Sequence, residues 1–461
     1  MATQNTQTHK VLMPDIIWEL VYSSYLSAAE HLHGLDSVTR NLAFSRELFA
    51  LLQIDFQRWP RMTVTGSKGK GSTSALIASL LQASGERVGF ISSPEMRRFN
   101  ERIRINGQCV SDEALVAAAA KIAAAVRSII SRLTPPDYLG PGGVILALAA
   151  TLFAEADVSA LVVEAGRGGE YDEAKLVAAD VSVLTPIMLE HVDKLGPTIQ
   201  DIARSKTYIT APGSLIVTAP QTPAVQAVID SVGASLAAKI LSVSTEMRID
   251  NVVHTLTGVN CDIQFAEHVY RNLHISLAGR HQTENAALAI LAVHLLAQQR
   301  IKYTDEGIFQ GLRRVHWPGR AQLLQQHPWV LLDGAINRES AANICEIMQN
   351  YPARRITAIV CVPRSKDLAG LCAQIAPVVG KIIVTKVAAP NLSWYEDAAS
   401  IASRYSLDVE AMDSAEEAFK YAKNGIEPDE GVLLLGTQSF LGAALHYWDI
   451  NTCTIWEPDL A

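Results

Sequence analysis

The chain has 461 residues, of which 49% are hydrophobic and 19% charged, and its net charge at pH 7 is −8. This composition is that of a soluble globular protein with room for about two to four domains. The negative net charge argues against a broad nucleic-acid interface. No stretch reaches the roughly 18 uncharged apolar residues of a membrane span. We therefore expect neither nucleic acid nor a membrane as a partner.

The start of the chain and its cysteines indicate a compartment. Residues 1–10 are polar and lack the apolar core of a signal peptide. The six cysteines, at positions 109, 261, 345, 361, 372 and 453, are scattered and include no Cys-x-x-Cys pair. Free thiols in a reducing cytoplasm are the simplest interpretation, and neither zinc nor a disulfide framework is indicated. We predict a cytoplasmic protein whose residues 1–15 form a flexible tail.

Residues 62–73 read Met-Thr-Val-Thr-Gly-Ser-Lys-Gly-Lys-Gly-Ser-Thr, and an apolar helix pattern follows at 74–82. Strand, glycine loop and helix N-terminus together favour phosphate binding. Glycines let backbone N–H groups approach an anion, and the helix end carries partial positive charge. Lys70 can neutralise terminal phosphates, and Ser72 or Thr73 can reach a magnesium ion. The alternative is a tight strand-to-helix turn, because the spacing is not that of a standard Walker loop.

The chain around and after this loop alternates between helix and strand patterns. Two or three helices are predicted within 16–52, further helices at 111–133, 144–155 and 198–210, and strands at 87–91, 159–164, 180–186 and 214–218. The alternation predicts a parallel sheet covered on both faces. Active groups in such sheets lie beyond the carboxyl ends of the strands. Ser93, Glu164 and His191 all lie at or just after such ends, which predicts that they converge on the phosphate loop.

Each of these polar residues also has a plainer explanation. Glu164 ends an apolar strand, where a carboxylate is costly unless it is paired or metal-bound. It therefore either pairs with an arginine or binds a metal. His191 is by base rate a hydrogen-bonded loop histidine, and Lys206 a solvated helix lysine. Imidazole usually favours softer metals than magnesium, so these residues alone leave a magnesium site open.

The second half of the chain predicts a further domain. Residues 243–277 are rich in β-forming residues and predict extra antiparallel strands, followed by a helix at 285–298. We predict a central domain at 16–298, a linker at 299–316 and a smaller α/β domain at 317–461, with strands at 329–333, 357–362, 381–387 and 431–435 and a helix at 339–350. Asn285, Arg320 and Asp333 either form caps and ion pairs or fold over a nucleotide held by the first domain. A phosphate loop alone does not choose between a kinase, an ATPase and a ligase.

The order of motifs resembles that of the folylpolyglutamate synthase/dihydrofolate synthase family, within the wider Mur-type peptide ligases. The matching segments are VTGSKGKGST (64–73), SSP (92–94), RFNERIRING (98–107), VVEAGRGGEYD (162–172), EHVDKLG (190–196), IARSK (202–206), GRHQTEN (279–285), WPGR (317–320), DGAIN (333–337) and SKD (365–367). They run from about residue 15 to the C-terminus. The resemblance implies a two-domain α/β fold, in which a P-loop domain with a parallel sheet precedes a smaller Rossmann-like domain.

The resemblance also implies a chemistry. The family consists of ATP-dependent ligases that join a carboxylic acid to the amine of an amino acid. ATP phosphorylates the acid to an acyl phosphate, and the amine attacks this intermediate and releases phosphate, which requires charge neutralisation and close alignment of two substrates. We therefore expect ATP and Mg²⁺ as cofactors. The expected partners are a small-molecule carboxylic acid and an amino acid or amine, bound by a monomer or small homo-oligomer.

Site residues follow from the matching motifs. The resemblance assigns catalysis to Lys70, Lys206 and His191, with Lys206 at the position that is carbamylated in the family. It assigns magnesium binding to Ser93, Glu164 and His191. It places nucleotide contacts on Gly66, Ser67, Lys68, Gly69, Lys70, Gly71, Ser72, Thr73, Asn285, Arg320 and Asp333.

Several positions depart from the family's pattern, and they concern the substrates. Gly142 and Gly143 stand where the family has an aromatic–Glu pair that resembles part of a pterin-binding wall. The residues predicted to contact the substrates are Glu95, Glu170, Asp172, Ile336 and Thr437, and all of these except Asp172 differ from the family's residue. An isoleucine cannot donate a hydrogen bond to a carboxylate as a histidine can. We expect a ligase whose acid is not a folate. The alternatives are a genuine folylpolyglutamate or dihydrofolate synthase and a nucleotide-binding protein without ligase activity.

Overall fold

The structure is a computed structural model and describes residues 13–255, 258–349, 353–389 and 392–456. The predicted tail at 1–15 lies almost entirely outside these ranges, as does the last residue of the helix predicted at 339–350. Within the described ranges, no helix is both long and apolar enough to cross a lipid bilayer.

An eight-stranded sheet organises the first part of the chain. Its strands are β1 (Arg61–Thr65), β2 (Val88–Ile91), β3 (Ile103–Ile105), β4 (Gln108–Cys109), β5 (Ala160–Glu164), β6 (Val181–Leu184), β7 (Leu215–Thr218) and β8 (Lys239–Ser242). The strand order is β4-β3-β2-β5-β1-β6-β7-β8. All pairs from β2 to β8 are parallel, whereas β3 and β4 form an antiparallel edge. The central strands are buried along their whole length and rich in β-branched residues, as expected for a sheet covered on both faces.

Helices cover both faces of this sheet. They are α1 (Asp15–Ala28), α2 (Asp36–Thr39), α3 (Ala43–Leu51), α4 (Lys70–Ala83), α5 (Asp112–Ile130), α6 (Pro141–Glu155), α7 (Val192–Leu195), α8 (Ile199–Thr207), α9 (Pro223–Ser235), α10 (Val243–Glu246), α11 (His281–Ala297) and α12 (Asp305–Arg313). Helices α4 and α11 contribute to one apolar core, and α1, α3, α5 and α6 to another. The parallel sheet covered on both faces confirms the predicted fold class for this part of the chain.

The antiparallel strands predicted at 243–277 form a separate three-stranded sheet. Its strands are β9 (Met247–Thr255), β10 (Gly258–Phe265) and β11 (His268–Ile275), in the order β11-β10-β9. The stretch predicted as a linker, 299–316, differs from that prediction because it holds α12. This helix packs on α4, where the Ser79 hydroxyl donates to the Gly311 carbonyl over 2.9 Å.

A six-stranded sheet organises the last part of the chain, in the order β12-β13-β17-β14-β15-β16. Its strands are β12 (Gln322–Gln326), β13 (Trp329–Asp333), β14 (Ile356–Cys361), β15 (Lys381–Val384), β16 (Val409–Ala411) and β17 (Gly431–Gly436). Only β12 is antiparallel to its neighbour among these pairs. The flanking helices are α13 (Arg338–Met348), α14 (Leu368–Ile375), α15 (Ala398–Ala402), α16 (Ala415–Asn424) and α17 (Gln438–Tyr447). This second α/β unit confirms the predicted two-domain fold.

The chain crosses between the two domains twice. The first crossing precedes β12, and the second follows α17, where residues 449–456 return to the first domain. We call residues 449–456 the C-terminal strap. The strap ends in Trp456, which is 2% exposed and belongs to the same apolar core as α4 and α11.

Candidate active site

The sheet order places the phosphate loop among the predicted site residues. Strands β2, β5, β1 and β6 lie side by side and run parallel, so their carboxyl ends meet at one edge of the sheet. The segments that leave these four ends carry Ser93, Glu164, the phosphate loop and His191. This edge is where parallel sheets usually hold their ligands.

The phosphate loop has the backbone shape that its glycines predict. Gly66 has a φ of +138°, and a Cβ there would lie 1.9 Å from the Thr185 hydroxyl. Gly69 has a φ of +85° and precedes the first residue of α4. The ammonium group of Lys70 folds back on the loop and donates to the Gly66 carbonyl over 3.0 Å. The start of α4 therefore lies directly after the loop, and a helix N-terminus favours the binding of an anion.

A cavity of about 690 Å³ lies between the phosphate loop and the second domain. Its wall brings together most of the residues predicted to contact a nucleotide: Ser67, Lys68, Gly69, Lys70, Gly71, Ser72, Asn285, Arg320 and Asp333. The opposite wall is formed by α13, whose Ile344 and Ile347 present an apolar surface. Phosphate donors at one end and apolar side chains at the other match a nucleotide in shape and polarity. We call this space the nucleotide cavity.

Side chains from both domains are fixed around the nucleotide cavity. Asn285 accepts a hydrogen bond from the Thr73 hydroxyl over 3.2 Å, which ties α11 to the start of α4. The carboxylate of Asp333 accepts from the backbone N–H of Ala321 over 2.8 Å. Burial raises the pKa of Asp333, and the nearby Arg320 guanidinium opposes that rise. The hydrogen bonds of Asn285 and Asp333 give both residues a structural role. Both also line the nucleotide cavity, so a bound ligand would contact them.

Glu164 lies at the centre of the site. Its carboxylate is buried and accepts from the backbone N–H of Ser93 over 3.1 Å. Burial raises its pKa to about 7, and the positive charge of Lys70 opposes the rise. His191 adopts a left-handed conformation with a φ of +50°, and burial lowers the pKa of its imidazole. A cation beside Glu164 would compensate the cost of burying this carboxylate.

A second cavity, of about 480 Å³, lies on the other side of Glu164. We call it the acid cavity. Six residues line both cavities: Ser93, Arg102, Glu164, Gly166, Arg167 and His191. Three tyrosines also line the acid cavity: Tyr22, Tyr25 and Tyr138. The two cavities thus share one wall, and that wall carries the predicted magnesium ligands.

A buried ionic cluster, which the sequence analysis missed, forms part of the acid cavity. The Arg40 guanidinium pairs with Glu173 and lies 3.7 Å from Asp172. Arg167 pairs with Asp36, which in turn lies 3.9 Å from Arg40. No local motif marks Arg40 and Glu173 as partners, because they are 133 positions apart. The sequence analysis comes nearest to this cluster with Asp172, which it predicts as a substrate contact and which directly precedes Glu173.

Two glycines make room for this cluster. A Cβ on Gly140 would lie 1.9 Å from the Glu173 carboxylate, and one on Gly142 would lie 2.6 Å from it. Glu173 therefore occupies space that side chains at 140 and 142 would fill. Its carboxylate is buried, and burial raises its pKa against the pull of Arg40.

Lys206 lies beneath the phosphate loop and is fully buried. Its ammonium group donates to the carbonyls of Gly66 and Arg167, each over 2.8 Å, and to the Glu190 carboxylate over 3.1 Å. Burial lowers its pKa to about 8, with Lys70 adding to the effect. The solvated helix lysine of the plainer interpretation is therefore excluded by its position.

The residues predicted for substrate recognition do not converge on one cavity. Asp172 lines the acid cavity. Glu95 lies outside both cavities and pairs with Arg102, which lines both. Three further predicted positions line neither cavity: Glu170, Ile336 and Thr437.

Fold and site together define a two-domain Mur-type ligase with a nucleotide cavity between its domains. The family model of the Mur ligase middle domain matches residues 64–293, and that of the Mur ligase glutamate ligase domain matches residues 319–438. The chain is 31% identical to a dihydrofolate synthase/folylpolyglutamate synthase of Bacillus subtilis over 430 residues, which are 91% of this chain and 98% of the relative. The chain therefore belongs to the folylpolyglutamate synthase/dihydrofolate synthase family, as its motifs predict.

Further relatives and solved structures agree. An Escherichia coli dihydrofolate synthase/folylpolyglutamate synthase is 32% identical over 362 residues, covering 77% of this chain and 80% of the relative. The structure of Mycobacterium tuberculosis folylpolyglutamate synthase complexed with ADP superposes with a TM-score of 0.82 at 26% identity, covering 95% of this chain and all of that one. The E. coli FolC structure with DHPP and ADP gives a TM-score of 0.78 at 26% identity, with 93% and 97% covered. The protein is thus an ATP-dependent, ADP-forming ligase that makes a carbon–nitrogen bond.

Proposed function

We propose that this ligase joins the carboxylate of a small acid, held in the acid cavity, to the amino group of an amino acid or amine. A carboxylate oxygen attacks the terminal phosphorus of ATP, and ADP leaves. The amine nitrogen then attacks the acyl carbon, loses a proton and displaces phosphate. The observation that supports this reaction is the wall at Glu164, which the two cavities share and across which two substrates would meet.

This chain's residues have distinct parts in that reaction. Lys70 neutralises the terminal phosphates, and Arg320 approaches the nucleotide from the second domain. Asn285, near the start of α11, and Asp333, at the end of β13, hold the nucleotide from the first and the second domain. Alignment of two substrates across one wall, together with charge neutralisation, is the main source of rate in this chemistry.

Ser93, Glu164 and His191 are the residues that would hold Mg²⁺. The fit rests on Glu164, a buried carboxylate with a raised pKa that lines both cavities. Within the described ranges, no group of three or more His, Cys, Asp or Glu side chains converges on one point. Magnesium commonly keeps several waters and phosphate oxygens, so one carboxylate with two neutral groups suffices. When bound, the ion neutralises phosphate oxygens and supplies Lewis-acid activation.

Replacement of Glu164 by glutamine tests the magnesium assignment. Glu164→Gln keeps the shape of the side chain and its acceptor for the Ser93 N–H, but removes the charge. We expect ATP turnover to fall by about 100-fold or more and the Mg²⁺ concentration for half-maximal turnover to rise. Glu416→Gln, at an exposed position of α16 away from both cavities, is the control for the loss of one negative charge. A Glu164→Gln variant with unchanged magnesium dependence would remove this residue from the site.

We also propose that Lys206 is carbamylated in the working enzyme. Carbamylation needs a neutral amine, and a pKa of about 8 makes that form available near neutral pH. The three acceptors around the ammonium group suit the unmodified state, so the carbamate requires Glu190 to turn away. Intact mass should show the addition of one carbon dioxide in bicarbonate buffer, and Lys206→Ala turnover should recover with added acetate. A Lys206→Ala variant with full turnover and no response to acetate would contradict the assignment.

The acid, we propose, is not a folate. The support is the changed residue Gly142 in the wall of the acid cavity, which leaves room for the Glu173 carboxylate that Arg40 neutralises. A genuine folylpolyglutamate or dihydrofolate synthase is the second candidate, favoured by 31% identity over 98% of the B. subtilis enzyme. Phosphate release with tetrahydrofolate or dihydropteroate plus glutamate separates the two. Robust product from either pair would establish the second candidate.

The third candidate is a nucleotide-binding protein without ligase activity, and a screen tests it. Phosphate release should be measured with a panel of carboxylic acids combined with each common amino acid. Lys70→Ala should abolish both nucleotide binding and turnover. A Lys70→Ala protein that loses nucleotide binding but keeps its cellular role would contradict the proposal that the protein acts as an enzyme.

We propose the cytoplasm as the compartment of this protein. Consumption of ATP and unpaired cysteines at all six positions both suit it.

A further inference from the structure

The C-terminal strap pairs with the β3–β4 edge of the first sheet. The backbone N–H of Ile455 donates to the Gly107 carbonyl over 3.1 Å, and that of Cys109 donates to the Cys453 carbonyl over 2.8 Å. Gln108 and Thr454 form an antiparallel bridge between these two bonds, and their side chains are hydrogen-bonded over 2.8 Å. The strap therefore continues the sheet as one further short, antiparallel segment.

This pairing sets two cysteines directly opposite each other. Gln108 and Thr454 occupy one face of the two-stranded ladder, so Cys109 and Cys453, one position further on, share the other face. Opposite residues in antiparallel strands have Cα atoms about 4.5–5.5 Å apart. That range lies within the roughly 4.4–6.8 Å that a disulfide spans. The backbone pairing thus presents the two thiols at bonding range without rearrangement of either strand.

The environment also favours reaction at this pair. Cys109 and Cys453 are both half-buried, whereas Cys261, Cys361 and Cys372 are fully buried. The Cys109 thiol donates to the sulfur of Cys453 and lowers the pKa of Cys453 to about 7. Burial instead raises the pKa of Cys361 and Cys372. Thiolate character together with access is what makes a cysteine responsive to oxidants.

We propose that Cys109 and Cys453 form a reversible disulfide that fastens the C-terminal strap to the first domain. A hydroperoxide supplies the oxidant. The Cys453 thiolate attacks one peroxide oxygen, the O–O bond breaks, and one water or alcohol leaves. The Cys109 thiol then displaces water from the resulting sulfenic acid and closes the S–S bond. A dithiol reductant returns both thiols.

The strap touches the segment that supplies Arg102 to both cavities. The Thr452 hydroxyl donates to the Glu101 carboxylate over 2.6 Å. Glu101 also accepts from the backbone N–H groups of residues 96–98, which follow Ser93 and Pro94. Arg97 and Arg104 donate to strap carbonyls over 2.6 and 3.0 Å. A fastened strap therefore fixes the second crossing between the domains and the loop beside the shared wall.

Peptide mapping of the oxidised protein tests the bond. The purified full-length chain is treated with hydrogen peroxide, alkylated without reduction and digested. We expect a peptide linking Cys109 to Cys453, which disappears with dithiothreitol and does not form in Cys109→Ser or Cys453→Ser. Cys345→Ser, another half-buried cysteine, is the matched control and should still form the link. This readout uses the wild-type chain and is independent of the acid and amine used by the ligase.

Release of the strap is measured by C-terminal proteolysis of the same samples. We expect oxidation to slow cleavage within 449–456 by about tenfold, and dithiothreitol to restore the original rate. Sulfinic acids or mixed disulfides at Cys109 and Cys453 without the linked peptide would overturn the proposal. A linked peptide with an unchanged cleavage rate would overturn it as well, because the bond would then fasten nothing.

Discussion

At the scale of single residues, the pair formed by Arg40 and Glu173 decides how the acid cavity is held. Their side chains are 16% and 6% exposed, so removal of one leaves a buried charge without its partner. Arg40→Met should lower the free energy of unfolding by about 3–5 kcal/mol. The double variant Arg40→Met, Glu173→Gln should recover most of that loss. Urea denaturation of the single and double variants measures both.

The control for this prediction is an exposed ion pair. Arg132 and Glu47 are 57% and 40% exposed, so Arg132→Met should cost less than about 1 kcal/mol. If Arg40→Met costs no more than Arg132→Met, the buried Glu173 carboxylate, whose pKa is already raised, takes up a proton in place of its ion pair. In that case the acid cavity does not depend on Arg40 for its stability.

His281 gives the protein a predictable dependence on pH. It lines the nucleotide cavity, and burial lowers its pKa from 6.5 to about 4, with Arg320 and His254 adding to the effect. Its Nδ1 atom is buried without a hydrogen-bond partner among the described residues. The unfolded chain protonates this histidine near pH 6.5, whereas the folded chain does so only near pH 4. Protonation of His281 therefore leaves the free energy of unfolding unchanged above pH 6.5. It lowers this free energy as the pH falls from about 6.5 toward 4, by roughly 3 kcal/mol in total.

Replacement of His281 isolates that contribution. His281→Gln cannot take up the proton, so its unfolding free energy should fall less between pH 6.5 and 4.5 than that of the wild type. His327→Gln, at an exposed position, should follow the wild-type curve. Identical curves for all three proteins would assign the acid lability to other groups.

At residue level, the sequence predicts what lies in contiguous motifs. The phosphate loop, Ser93, Glu164 and His191 each follow a recognisable strand, so the rule for parallel sheets places them together. The pairing of Arg40 with Glu173 depends on how α2 and the segment after β5 pack, and no spacing in the chain encodes it. The contact between Cys109 and Cys453 likewise exists only once the second domain has folded and returned the chain.

At the scale of elements, the start of α4 packs against the first crossing between the two domains. A Cβ on Gly71 would lie 2.8 Å from the Trp317 indole, at the first crossing between the domains. Alanine favours a helix over glycine by about 1 kcal/mol, so local propensity predicts that Gly71→Ala is stabilising. We expect packing to prevail, with Trp317 displaced and the KM for ATP raised by about tenfold. Tryptophan fluorescence and steady-state kinetics measure the two effects.

Ser74→Ala on the same helix is the matched control. The Ser74 hydroxyl is buried without a hydrogen-bond partner among the described residues, so its removal should leave KM unchanged and stability equal or slightly higher. Equal kinetics for Gly71→Ala and the wild type would mean that Trp317 moves aside without cost to the nucleotide cavity.

Helix α12 shows which element could have been predicted. Thr304 accepts from the Gly307 N–H as a cap, Asp305 and Glu306 fill the first turn, and Ile308 and Leu312 lie on one buried face. These are ordinary helix signals. The sequence analysis interprets this stretch as a linker because it lies directly before the break at Trp317. The strap offers no such signal, because an isolated eight-residue segment has no period to detect.

At the scale of the whole molecule, two crossings of the chain restrict how the domains can move. A single linker permits rotation in any direction, whereas two connections define an axis that passes through both. Ligases that close over ATP need such a motion, and product release follows when the domains reopen. The second crossing depends on Trp456, whose ring fills the space above Gly107 and lies 5.5 Å from the Arg314 guanidinium.

Trp456→Ala should therefore free the strap and relax this constraint. Loss of a buried indole costs about 3–5 kcal/mol, and we expect faster C-terminal proteolysis together with a larger radius of gyration in small-angle X-ray scattering. Trp18→Ala, at a position 46% exposed, should change neither. A destabilised Trp456→Ala protein with an unchanged radius of gyration would show that the contacts of Thr452 and Thr454 hold the second crossing by themselves. The axis of domain motion would then run through the antiparallel segment and not through the indole.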